Sequence, residues 1–143
     1  MNSEDKVESI FGVFDGLCSA LGVILAIAIN GAGDLVVAAV ALAVGSAVSM
    51  ACGEFLSDSG GSRRKAAAMG TATLIGSIAP AIPFIVFSGT IAYILCGLIT
   101  TGLCILIAKF RPGNWPKSLS LTFGVTVIST GLAVATSILA GAA

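Results

Sequence analysis

The chain has 143 residues, of which 57% are hydrophobic and only 10% charged, and its mean hydropathy is +1.08. So apolar a composition excludes a water-soluble globular domain and puts the chain in a bilayer. Seven basic residues balance seven acidic ones, which gives no basic surface for a nucleic-acid partner, and histidine is absent, which removes a common transition-metal ligand and the usual neutral-pH proton relay.

A bilayer core takes about 20 apolar residues per helix. The sequence divides into five such stretches, over residues 9–30, 34–57, 66–88, 90–109 and 118–141. They predict an all-α integral membrane protein, one five-helix transmembrane domain over residues 1–143. The breaks between them are short and polar or glycine-rich: Asn30 to Asp34, Asp58 to Lys65, Ser88 to Thr90, and Lys109 to Lys117. They read as tight helix connections.

Basic residues set the orientation, because cytoplasmic loops carry the excess Lys and Arg. Lys6 precedes the first helix, Arg63, Arg64 and Lys65 follow the second, and Lys109, Arg111 and Lys117 lie around the connection between the fourth and fifth. With five crossings all seven fall on one side, so the N-terminus is expected in the cytoplasm and the C-terminus outside or in a lumen. The opening MNSEDKVESI mixes acids and bases, and no small-residue cleavage site follows its apolar run, so the first helix is expected to be retained.

Inside the first two helices stand residues that hydrocarbon does not favour. The first is Asp15, in IFGVFDGLCSALGV; the second helix carries Met50 and Glu54, in VSMACGEFLSDS. An ionised carboxylate in hydrocarbon costs about 2.5 to 3.5 kcal/mol on insertion scales, so it persists where something pairs with it or passes by it. At a rise of about 1.5 Å per residue, Asp15 lies roughly 9 Å in from the cytoplasmic end of its helix, Met50 about 10 Å and Glu54 about 5 Å from the same end of theirs. Met50 and Glu54 are spaced i, i+4 and share a helix face, which Asp58 continues to the surface. Cys18 sits one turn beyond Asp15 on a similar face. The expected path has Asp58 and Glu54 at its mouth, Asp15 and Met50 within it, and Cys18 as an additional ligand.

Carboxylates suit hard and borderline divalent ions, whereas a thioether favours softer ones and offers little to Mg²⁺ or Ca²⁺. The mixture points to Fe²⁺, with Mn²⁺, Co²⁺ and Zn²⁺ as competitors. Proton coupling, without histidine, has to run through carboxylates that exchange a proton for a metal ion. Each residue also has a plainer reading. Asp15 could cap a helix or sit among headgroups, Glu54 could snorkel to the surface, Met50 could be core packing, and Cys18, Cys52, Cys96 and Cys104 could be small buried hydrophobes.

Gly12 and Gly16 form a GxxxG spacing beside Asp15 that lets another backbone approach closely. Five helices hardly enclose a hydrated path alone, and a two-fold partner supplies a second copy of every ligand, so a parallel homodimer with Gly12 and Gly16 at its contact is expected. In the third helix Pro80 and Pro83, in GSIAPAIPF, each delete a backbone donor and predict a kink.

FDGLCSALGV in the first helix, VSMACGEFLSDS in the second and the Pro-x-x-Pro-Phe of the third resemble the vacuolar iron transporter family, and the order and helix count fit it across nearly the whole chain. The resemblance implies a homodimer whose first two helices line the path and which exports Fe²⁺, or Mn²⁺, from the cytoplasm in exchange for protons, with no permanently bound cofactor. By motif position Asp15 and Met50 correspond to that family's metal-conducting aspartate and methionine, and Glu54 matches the glutamate of members whose second helix ends in Met-x-x-Gly-Glu. The chain departs from full-length members in one respect: residues 57–65 leave no room for their long glutamate-rich insert, so it is similar to the short, nodulin-like branch. Its connection carries Arg63, Arg64 and Lys65 instead, which repel cations and attract anionic membrane lipid.

Two rival classes fit the sequence less well. An enzyme of the CDP-alcohol phosphotransferase type needs an Ala-Arg after Asp15-Gly16 and further paired aspartates, but Leu17-Cys18-Ser19-Ala20 follows, so no enzyme is expected. A non-transporting membrane scaffold, or a subunit of a larger complex, accounts for the small residues and short loops but not for three polar ligands at one depth. A compact chain without a targeting extension suggests the plasma (inner) membrane of a prokaryote over a vacuolar membrane.

Overall fold

The computed structural model describes residues 3–31, 33–57, 60, 62–111 and 113–141, with side chains described from residue 6 onward. Its helices are α1 (Ser3–Asn30), α2 (Leu35–Ser57), α3 (Arg63–Ile78), α4 (Ile82–Val86), α5 (Thr90–Phe110) and α6 (Trp115–Gly141), with a 3₁₀ turn at Ala79–Ala81 between α3 and α4. Five helical stretches are long and apolar enough to cross a membrane, the third being α3, the 3₁₀ turn and α4 in series. Outward-facing Val37, Val44, Leu98, Val127, Leu132 and Leu139 are all more than half exposed. Such faces suit lipid, because in water they would form a far larger apolar patch than a soluble chain tolerates.

Several boundaries fall a few residues outside the apolar stretches, for a local reason. α3 begins at Arg63 because the Ser62 hydroxyl accepts from the Lys65 backbone N–H at 3.4 Å, carrying the helix through the basic residues. α2 is capped in the same way by Asp34, whose carboxylate accepts from Val36 and Val37 N–H at 2.9 and 3.2 Å. Asp34, the last residue of the first break, is therefore the cap of α2. At the two prolines α3 gives way to the 3₁₀ turn and then to α4. Pro80 lies in the first turn of the 3₁₀ segment and Pro83 in the first turn of α4, so each missing donor falls where a helix start would leave it unsatisfied anyway. Gly89, at φ +66, then lets the chain reverse into α5.

The core forms where α1 meets α3. Gly12 faces the Met69 carbonyl, Ala72 and Thr73; Gly16 faces the Thr73 carbonyl and Ser77; Gly76 of α3 reciprocally faces the backbone of Val13. A β-carbon at Gly12 would lie 2.6 Å from the Met69 carbonyl oxygen, and one at Gly16 only 2.8 Å from the Ser77 nitrogen. The two backbones are therefore in direct contact, the close approach that small residues permit within a bilayer. This corrects the expected role of Gly12 and Gly16. They are buried against α3 of the same chain, and no second copy can reach that face.

α2 covers the other side of α3, with Ala39, Ala43 and Ala47 buried and Gly70 set against Ala47 and Ala51. α5 and α6 complete the bundle beside α1, joined by Cys104 Sγ and Thr126 Oγ1 at 3.7 Å. The Phe84 and Tyr93 rings meet edge to face at 4.9 Å and hold α4 against α5. Paired positions rise together between α1 and α3 (12 with 69–73, 16 with 73–77), so those helices run parallel. Gly22 with Ala133 and Asn30 with Ser137 show the same for α1 and α6. All seven basic residues consequently lie at the end of the bundle where α1, α3 and α6 begin.

Replacing Gly16 by Ala should destabilise the protein by about 1–3 kcal/mol, the usual cost of overpacking a tight contact. Gly45→Ala, where a β-carbon meets nothing within 4 Å, should be neutral or mildly stabilising. Thermal unfolding in detergent distinguishes them, and equal melting temperatures would mean that α1 and α3 do not touch as described.

Candidate functional site

Asp15 is half-buried and lies on the side of α1 turned away from α3. At 100° per residue, Asp15, Cys18, Ser19, Gly22 and Ala26 form one stripe, and the glycine contact with α3 is a separate one. The stripe forms one wall of an open groove of about 690 Å³, whose other wall is α6, through Ser129, Ala133, Thr136 and Ser137 among others. Among the described residues Asp15 is the only carboxylate lining it. Asn30 donates to the Ser137 hydroxyl and fastens the two helices at the end of the groove away from the basic residues. Gly22, with Ala133 opposite at the distance of a tight contact, keeps the walls close midway.

The hydroxyls of α6 were not singled out by sequence reading, although a signal was present. Ser118, Thr122, Thr126, Ser129 and Thr136 recur at spacings of four, four, three and seven, a polar stripe along the helix with Ser137 beside its end. Those nearer the basic end are partly absorbed by the helix itself. Thr122 donates to the Ser118 carbonyl and Thr126 to the Thr122 carbonyl, both at 2.8 Å. Cys18 faces Thr126 and Ser129 across the helix boundary, so its thiol belongs to the groove wall, as an additional ligand would. Cys96 and Cys104 are buried, Cys18 is half-buried and Cys52 faces outward, so the description as buried hydrophobes fits two of the four.

Met50 and Glu54 are half-buried on α2. By helical phase they extend the face of Ala39, Ala43 and Ala47, the face directed at α3 and the bundle interior. Their shared face is thus the inner one, and Cys52 lies opposite. Neither lines the Asp15 groove. Among the described residues no three of the acidic and cysteine side chains come together as a metal-holding group. One chain therefore presents the sequence-selected ligands as two sets, Asp15 with Cys18 between α1 and α6, and Met50 with Glu54 on the inner face of α2. Asp58, the expected mouth of the path, lies outside the described residues.

The bundle and its groove define an all-helical protein with five helices long and apolar enough to span a membrane. Comparison of the chain with family models, with curated proteins and with solved structures finds no match. Functional assignment therefore rests on the chemistry of the groove and of the α2 face.

If the groove is hydrated, a variant whose only cysteine is Cys18 should react in proteoliposomes with a charged thiol reagent added from water, and one retaining only the fully buried Cys104 should not. An inert Cys18 would show the groove to be filled.

Proposed function

We propose that this protein is a divalent transition-metal transporter that exports Fe²⁺, and Mn²⁺ as an alternative cargo, from the cytoplasm in exchange for protons. The observation that carries the proposal is Asp15: a carboxylate in the interior of an apolar helix, half-buried, on the wall of a groove otherwise lined by hydroxyls, a thiol and small apolar groups. When ionised, an acid in that position calls for a counter-charge, and a passing cation supplies one. The thioether of Met50 and the carboxylate of Glu54, on one α2 face, supply the softer and harder donors that suit a borderline ion better than Mg²⁺ or Ca²⁺. The family resemblance of the first three helices points to the same cargo.

In this mechanism Asp15 binds metal only as the carboxylate, so metal entry releases a proton and protonation on the far side ejects the ion. The proposed assembly is a homodimer, in which a second copy adds its own Asp15 and Cys18 to the path, while Met50 and Glu54 act from the inner face of α2 within each chain. The contact between copies then uses surface other than the Gly12/Gly16 face, because α3 occupies that face. The concentration of Lys and Arg at one end favours a cytoplasmic N-terminus. A prokaryotic inner membrane is the proposed location.

The test is uptake into proteoliposomes under a pH gradient, comparing Fe²⁺, Mn²⁺, Co²⁺, Zn²⁺ and Mg²⁺. Asp15→Ala should slow Fe²⁺ uptake by at least about tenfold, since losing even a group that supports a metal ligand costs 10–100-fold in affinity or activity. Full-rate transport by folded Asp15→Ala sinks the proposed path. Met50→Leu should weaken discrimination in favour of the softer ions, and an unchanged selectivity series removes Met50 from the coordination shell. Folded wild-type protein that moves none of the five ions would favour a scaffold role.

A further inference from the structure

A second polar feature lies at the junction of α5 and α6, away from the Asp15 groove. Arg111, Asn114, Lys117, Ser118 and Leu121 form a cup of about 190 Å³. Two apolar furrows open from it. One, of about 450 Å³, runs between α1 and α6 past Phe11, Phe14 and Val125 and shares Arg111 and Leu121 with the cup. The other, of about 490 Å³, runs along the opposite flank of α6 past Pro116, Gly124 and Ile128 and shares Lys117 and Leu121 with it. Leu121 and Val125 form the ridge between the furrows, and a cation stands at the head of each.

The cup is built for an anion. Ser118 is only 7% exposed, yet among the described residues its hydroxyl has no hydrogen-bond partner, although its carbonyl accepts from Thr122. A buried hydroxyl left in that state calls for a ligand, because most buried polar groups are paired. In the first turn of α6 the Ser118 N–H is taken by the Asn114 carbonyl at 2.9 Å and Pro116 has none, which leaves the N–H groups of Trp115 and Lys117 and the helix dipole to favour negative charge there. Arg111 and Lys117 are exposed, and neither is paired among the described residues. Trp115, the chain's one tryptophan, is 51% exposed beside them, as suits the level of lipid headgroups.

A single charged cup that branches into two apolar furrows has the shape of one lipid molecule. We propose that this junction binds an anionic glycerophospholipid, its phosphate held by Arg111, Lys117 and the Ser118 hydroxyl and its two acyl chains straddling α6, one in each furrow. A bare phosphate ion leaves both furrows unfilled, and a zwitterionic lipid brings its own cation against Arg111 and Lys117. The site depends on the chain lying in a bilayer and not on metal transport. A bound lipid here would bridge α1, α5 and α6 at the basic end of the bundle and steady the helix that forms the far wall of the Asp15 groove.

Native mass spectrometry of the full chain released from detergent tests this, with dioleoyl phosphatidylglycerol, dioleoyl phosphatidylcholine, glycerol 3-phosphate and inorganic phosphate as probes. One phosphatidylglycerol per subunit should be retained in preference to the other three. Arg111→Gln and Lys117→Gln should each weaken its retention by about tenfold, the factor expected for losing one charge-assisted contact. Ser118→Ala should weaken it several-fold, and Lys109→Gln, exposed and outside the cup, should leave it unchanged. Gly124→Leu fills one furrow from a position where a β-carbon meets nothing within 4 Å, so the fold survives while retention falls. Equal retention of phosphatidylcholine, binding of inorganic phosphate or glycerol 3-phosphate as tight as that of the lipid, or a loss with Lys109→Gln as large as with Arg111→Gln would each overturn the proposal.

Discussion

The direct backbone contact between α1 and α3 is the constraint on which the remaining packing depends. In lipid no hydrophobic force pushes helices together, since acyl chains are as apolar as leucine, so association relies on close van der Waals contact and interhelical polar contacts. Gly12, Gly16 and Gly76 remove the side chains that would keep these two helices apart. Once α1 lies against α3, the residues beyond the glycine row take their places by helical phase. Leu17, Ile24 and Ala20 become fully buried, and the stripe carrying Asp15 is turned toward α6. The groove is thus a geometric consequence of which face of α1 the glycines commit.

The same contact explains why the third span is the least apolar of the five and the most enclosed. α3 lies between α1 and α2, and its small and hydroxyl-bearing residues, Ala66, Gly70, Ala72, Thr73, Gly76 and Ser77, meet protein instead of lipid. Thr73 satisfies its own hydroxyl by donating to the Met69 carbonyl at 3.0 Å, which lets a polar side chain sit at the helix crossing. The two prolines fall where the span turns through its 3₁₀ segment, so the break costs little in lost backbone hydrogen bonds. α6 is the contrasting case. It is mostly exposed, anchored to α1 and α5 by a few polar and close contacts, and it contributes one wall to both the groove and the lipid cup.

Chemistry is separated along the bundle in a way that follows from these contacts. The cations gather at one end, where α1, α3 and α6 begin, while the single groove carboxylate lies farther in, between α1 and α6. Arg63 and Arg64 at that end are exposed, and Arg111 and Lys117 sit at the heads of two apolar furrows. A cation approaching from that end meets positive charge before it meets Asp15, whereas anionic headgroups meet attraction. On the proposed reading, bound lipid is therefore a means of lowering a local barrier that the sequence places in front of its own metal site.

Sequence alone determined the solvent, the number of spans and the residues too polar for hydrocarbon, because each depends on composition within one segment. It placed the span ends to within a few residues, and the differences at Arg63 and Trp115 arise because helical hydrogen bonding continues past the last apolar side chain, through Ser62 as cap and through residues whose charged tips reach water. Which face of a helix meets which neighbour was decided only by the tertiary structure. GxxxG at Gly12 and Gly16 announces a close approach, but a second copy and α3 of the same chain satisfy the motif equally, and the bundle chose α3. Likewise, depth along the membrane put Asp15, Met50 and Glu54 near one level, yet depth says nothing of azimuth. The rotation of α1 and α2 against α3 sent Asp15 toward α6 and its hydroxyls and left Met50 and Glu54 on the inner face of α2, a division that only the packing of whole helices could set.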